Sequence, residues 1–130
     1  MKIAGAVVAG VIIAFLCIFG LEAVSHSLFP LPAGIDVSDP AQLAGMMDKI
    51  PTGAKVAVVA GWFVGALAGA WVACRIAGRA LAGWIVAILV AVSGVATMLM
   101  IPHPAWMWAA GILLPPLAAY IAQRLARVAV

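Results

Sequence analysis

Apolar residues run through four long stretches of the chain without a single charged side chain. These stretches cover residues 3–21, 56–74, 80–101 and 105–122. A helix needs about 20 apolar residues to cross the hydrocarbon core of a bilayer. Inside lipid every backbone amide must be hydrogen-bonded within its own segment, and no alternation of period two indicates a barrel. The pattern therefore predicts four transmembrane helices.

The composition excludes a soluble domain. Apolar residues make up 68% of the 130 residues and charged residues only 8%, whereas soluble domains average about 25% charged residues. We predict an all-α, polytopic four-helix bundle that forms a single transmembrane domain over residues 1–130. The expected spans are residues 3–24, 55–75, 79–101 and 104–123, and the outer loop covers residues 27–53.

Lysine and arginine predict the orientation, because cytoplasmic loops of membrane proteins are enriched in them. Five cations lie at the N-terminus, in the second connection and at the C-terminus: Lys2, Arg75, Arg79, Arg124 and Arg127. We therefore expect both termini on the cytoplasmic side, with loops one and three outside. The cations form no continuous stripe, so nucleic acid is not an expected partner. A cleaved secretory signal is a weaker alternative, because the first apolar run is longer than the usual signal core.

The sequence predicts a short amphipathic helix in the first outer loop. Asp39 is suited to the N-cap, Pro40 to the first helical position and Gln42 to the third. Apolar residues then follow at helical spacing: Leu43, Met46, Met47 and Ile50. We expect this helix on the outer surface of the membrane, as a tether or as a lid over the bundle.

Several of these segments together resemble a known group of proteins. The residues that carry the resemblance are Glu22, His26, Phe29-Pro30-x-Pro32, Gly34-Ile35-Asp36-x-Ser38-Asp39-Pro40 and Trp62 in a glycine-rich second span. In these features the chain is similar to small, uncharacterised four-span proteins of bacterial inner membranes. The resemblance implies the fold and the inner-membrane location, and it implies no activity.

Glycine recurs at every fourth position of the second span, at Gly61, Gly65 and Gly69. Such a stripe, a glycine zipper, lets another helix backbone approach closely. The favoured interpretation is packing within the chain against the small residues of the first span: Ala6, Gly10 and Ala14. The alternative is a homo-oligomer that forms through the second span.

The remaining landmarks of the spans are aromatic residues and prolines. Tryptophans near the span ends are typical of interfacial anchors, and this predicts an anchoring role for Trp71, Trp84, Trp106 and Trp108. Pro115 and Pro116 remove two amide donors from the middle of the fourth span, so we expect a kink or local unwinding there.

Glu22, His26 and His103 form the one candidate polar site. Glu22 and His26 are four residues apart on one helical face, and His103 lies between two prolines at the outer junction of spans three and four. This placement predicts that all three lie at the same outer face. They could bind a divalent metal such as Zn²⁺, hold a haem through the two histidines, or couple a proton through Glu22. A purely structural role at the headgroup level is the alternative.

The sequence contains no recognisable catalytic arrangement, so we do not expect an enzyme. Ser93 has no histidine or aspartate at its depth, and no phosphate-binding glycine loop is present. The main hypothesis is a non-catalytic membrane protein with a binding or scaffold role. The alternative is a small proton-linked transporter or a metal- or haem-binding component that uses Glu22, His26 and His103.

Overall fold

The computed structural model describes residues 2–28, 39, 41, 52–100 and 103–128, except for the side chains of Lys2 and His26. Within these residues the chain forms four helices: α1 (Lys2–Leu28), α2 (Thr52–Ala77), α3 (Ala80–Met100) and α4 (Ala105–Ala126). All four are long and apolar enough to cross a membrane. The prediction of an all-α bundle of four transmembrane helices is confirmed.

The predicted amphipathic helix of the first outer loop lies outside the described residues, apart from Asp39 and Ala41. Asp39 Oδ1 accepts a hydrogen bond from the amide of Ala41 at 3.0 Å. A side-chain oxygen that accepts from the second following amide is the contact of a helix N-cap. The described geometry at Asp39 is therefore that of an N-cap.

The helix ends explain how the chain reverses direction between spans. Gly78 follows α2 with a φ of 68°, a left-handed conformation that glycine adopts at little cost. The turn is short, so α3 returns antiparallel to α2.

At the end of α4, Arg127 is also left-handed. Its amide donates to the carbonyl of Arg124, and the amide of Val128 donates to that of Gln123, both at 3.3 Å, which is a Schellman motif.

Backbone contact between glycines joins α1 and α2. A Cβ added at Gly10 would lie 2.6 Å from the carbonyl oxygen of Gly69, and a Cβ added at Gly69 would clash with the carbonyl of Gly10. A Cβ added at Gly65 would lie 2.8 Å from the carbonyl oxygen of Ala14. Helices approach this closely only where side chains are absent. The small residues therefore determine how α1 lies on α2.

The pair α2 and α3 forms the centre of the bundle, since α1 and α4 each pack against both of these helices. The antiparallel order brings the start of α1, the turn between α2 and α3 and the end of α4 to one end. We call this the basic end, because it carries four exposed arginines: Arg75, Arg79, Arg124 and Arg127. The opposite end, which we call the outer-loop end, contains the end of α1 and the connection between α3 and α4.

The two prolines do not interrupt α4. The segment from Ala105 to Ala126 is helical throughout, with Pro115 buried and Pro116 exposed. The local unwinding expected from two missing amide donors is therefore not observed. Pro115 is among the most completely buried side chains of the described residues, so tertiary burial accompanies the helical path despite the lost hydrogen bonds.

Candidate functional site

Glu22 lies on the side of α1 that faces the bundle. The buried residues of α1 recur at every fourth position: Ala6, Gly10, Ala14 and Ile18. Glu22 is the next position in this series and is half-buried. Ser25 follows three residues later and is the one buried polar side chain among the described residues, at 5% exposure. The sequence analysis did not identify Ser25, because serine in an apolar helix gives no pattern of its own.

Close contacts at the glycines show which residues of the four helices lie at one depth. A Cβ added at Gly61 would lie 3.7 Å from the Cβ of Leu21. Cβ atoms added at Gly94 and Gly111 would lie 3.9 Å and 3.1 Å from the indole ring of Trp62. These five residues therefore form one layer across the bundle, which we call the Trp62 layer.

His103 lies nearer the outer-loop end than the Trp62 layer. It is half-buried and non-helical, and it precedes Pro104, the N-cap of α4, which has an extended backbone. Gly111 follows Pro104 by seven residues, about 10 Å along the helix axis at about 1.5 Å per residue. Glu22 directly follows Leu21 of the Trp62 layer, so His103 lies nearer the outer-loop end than Glu22.

His26 comes between these two residues in depth, one turn beyond Glu22 on α1. Its side chain lies outside the described residues. Glu22 and His103 each have an interaction partner in the structure. Within the described part of the chain, no group of three His, Cys, Asp or Glu side chains could hold a metal ion. A metal or haem site that uses Glu22, His26 and His103 stays a prediction.

The glycine stripe of α2 faces α1 within the same chain. Gly61 lies against Leu21, and a Cβ added at Gly65 would lie 2.7 Å from Ile18 Cγ1. Gly69 lies against the backbone of Gly10. A homo-oligomer that used this stripe would have to displace α1 from it. Self-association through α2 stays a prediction.

Two aromatic contacts at the basic end involve polar partners. The guanidinium of Arg75 lies over the Trp71 ring, 5.9 Å from its centroid, which is within the range of a cation–π interaction. Trp84 Nε1 donates a hydrogen bond to Gln123 Oε1 at 2.7 Å and joins α3 to α4. The sequence analysis treated Trp84 as an interfacial anchor alone. The available signal was Gln123 itself, since a polar side chain in a span often bonds to a neighbouring helix.

A shallow apolar groove lies between α3 and α4, next to Trp84. Its volume is about 140 Å³, and its lining is entirely apolar. The lining residues are Trp84, Ala87, Ile88, Ala91 and Pro116. The sequence analysis did not predict this groove, because it depends on how two helices pack side by side.

The fold defines the chain as a small multi-pass membrane protein with four spans. No protein-family model matches it, and neither a curated protein nor a solved structure matches it. The resemblance to small four-span proteins of bacterial inner membranes therefore stays a prediction.

Proposed function

We propose that this protein is a small, non-catalytic component of the bacterial inner membrane, with a binding or scaffold role that depends on tight helix packing and on its outer face. The proposal is supported mainly by how the interior of the bundle is packed. Most of the buried apolar residues in the described part are alanines, and α1 and α2 meet backbone to backbone. Close packing of this kind leaves little space for α1 and α2 to shift against each other, which supports a scaffold role. Of the described acidic and histidine side chains, Glu22 lies in the last two turns of α1 and His103 in the connection that precedes α4.

The proposed orientation places both termini in the cytoplasm. Four arginines at one end of the bundle support this orientation, because translocation of arginine near a span is disfavoured. They are Arg75, Arg79, Arg124 and Arg127. Reporter fusions after Gly78 and after Val130 should therefore read as cytoplasmic, and a fusion after Ile50 should read as external. An external reading at Val130 would contradict the proposed orientation.

A photo-crosslinking residue at the outer face tests the binding role in intact membranes. Ala105 is exposed at the start of α4, and Leu113 is exposed in the middle of the same helix. We expect the probe at position 105 to give an adduct of one discrete mass, and the probe at position 113 to give lipid adducts only. A protein adduct at position 113 without one at position 105 would show that binding uses the membrane-facing surface instead.

A second candidate function is proton-linked transport, or binding of a metal or haem, through Glu22, His26 and His103. The position of Glu22 favours it, because a carboxylate that faces the bundle is expensive to keep in a span without a role. Glu22→Gln keeps the shape and removes the titratable group. The scaffold proposal predicts equal proton flux and equal zinc content for wild-type and Glu22→Gln protein in liposomes. A flux or a stoichiometric zinc ion that Glu22→Gln abolishes would favour the second candidate.

A further inference from the structure

The groove between α3 and α4 opens towards the membrane. Ile88 on one wall is 57% exposed, and Pro116 on the other wall is also exposed. Ala87 and Ala91 form the floor on the α3 side, and their small side chains leave the space that larger residues would fill. A groove of about 140 Å³ with an entirely apolar lining matches a short part of a hydrocarbon chain in polarity, because both are apolar.

Polar residues bound this groove on the side of the basic end. Pro116 and Gln123 are seven residues apart, so they lie on one face of α4, and Arg127 follows the last residue of the helix. The hydrogen bond from Trp84 to Gln123 closes the space between the helices next to the groove. The exposed arginines at the end of α4, Arg124 and Arg127, come directly after this bond. The apolar groove therefore leads to a pair of cations at the membrane surface.

We propose that this surface binds one anionic phospholipid, with an acyl chain in the groove and the phosphate headgroup against Arg124 and Arg127. The surface is complementary to such a lipid in both polarity and charge. The lining of the groove is apolar at the depth of the acyl chains, and the cations lie where the headgroups lie. Basic residues beside gaps between transmembrane helices are a recurring recognition site for anionic headgroups. The proposal does not depend on which leaflet the basic end faces.

Lipid titration of the purified full-length chain in a nonionic detergent, followed by native mass spectrometry, tests the site. The probes are phosphatidylglycerol and phosphatidylcholine with identical acyl chains. We expect one phosphatidylglycerol to bind in preference to phosphatidylcholine. Arg124→Gln combined with Arg127→Gln should lower the affinity for phosphatidylglycerol about 30-fold, at about 1 kcal/mol for each arginine. The matched control is Arg75→Gln combined with Arg79→Gln, which removes the same charge from the same end but leaves the two arginines that follow Gln123, and it should lower the affinity less than the α4 pair does.

A second pair of variants tests the role of the groove. Ala91→Leu fills it, whereas Ala96→Leu adds the same bulk at an exposed position of α3 that does not line it. We expect Ala91→Leu to remove bound phosphatidylglycerol and Ala96→Leu to retain it, with circular dichroism unchanged in both.

Four results would overturn the proposal. They are equal binding of the two lipids, equal losses from the two double arginine variants, competition by glycerol phosphate as strong as that by the whole lipid, and a changed oligomer size in Ala91→Leu. The last result would show that the groove contacts a second copy of the chain.

Discussion

Gly69→Ala is expected to lower the free energy of unfolding by about 3 kcal/mol, the upper part of the range for overpacking in a close-packed interior. The added methyl would clash with the carbonyl oxygen of Gly10 and would lie 2.8 Å from the Cβ of Ala14. A backbone carbonyl in a helix cannot rotate away as a side chain can. The helices α1 and α2 must therefore separate, and the contacts on both sides of the clash weaken.

The matched control for this prediction is Gly20→Ala. Gly20 is exposed on α1, and nothing lies within 4 Å of an added Cβ there. The same chemical change should stabilise the protein by about 0.5–1 kcal/mol, because alanine loses less conformational entropy in a helix than glycine. Unfolding of the purified protein by sodium dodecyl sulfate, followed by circular dichroism, measures both variants. Equal effects would show that α1 does not pack on α2 through these glycines.

Trp62→Ala should cost about 3–5 kcal/mol of stability, the range for truncation of a large buried aromatic side chain. Trp62 is only 6% exposed. Its ring lies against Gly94 of α3 and Gly111 of α4, so one side chain from α2 fills the space between three helices. Its truncation leaves a cavity between the three helices, which costs stability because the surrounding structure collapses into it only in part.

Trp106→Ala provides the comparison for Trp62→Ala. Trp106 is 42% exposed near the start of α4, so its truncation removes an interfacial anchor without opening a cavity. We expect a loss below about 1.5 kcal/mol, since the wall of the bundle remains intact. The same unfolding titration distinguishes the two. A loss as large for Trp106→Ala as for Trp62→Ala would contradict the assignment of Trp62 to the core.

The resemblance noted Trp62 only as a feature of the second span, and the anchoring role was assigned to four other tryptophans. Position along the span sets Trp62 apart from the other four, but the sequence does not show that its ring faces the interior, because each tryptophan lies in an apolar helix of similar composition. The contacts of the Trp62 ring with two other helices identify it as a residue of the core. Trp84 is similar, since its partner Gln123 is 39 residues away in the chain.

The local environment of a candidate site residue could be predicted from the sequence, but the arrangement of the site residues relative to one another could not. Proline on both sides of His103 indicated a residue outside the helices, and the structure has His103 non-helical and half-buried. Its depth relative to Glu22 could not be read from the sequence, because depth depends on the register between antiparallel helices. That register follows from which side chains lie against the glycines, such as Leu21 against Gly61 and Trp62 against Gly111.

The sequence by itself determined the number of spans, their helical form and the end of the bundle at which the arginines collect. These properties are local: each depends on the cost of placing apolar side chains, amides or charges in lipid. The tertiary structure alone decided which helix the glycine stripe of α2 contacts, which tryptophan lies in the core and where a groove opens between α3 and α4. All helices here are apolar on every side, so hydrophobicity does not select a neighbour for any of them. Steric fit between small residues selects the neighbouring helix instead. This fit is defined only when the two helix backbones are in contact.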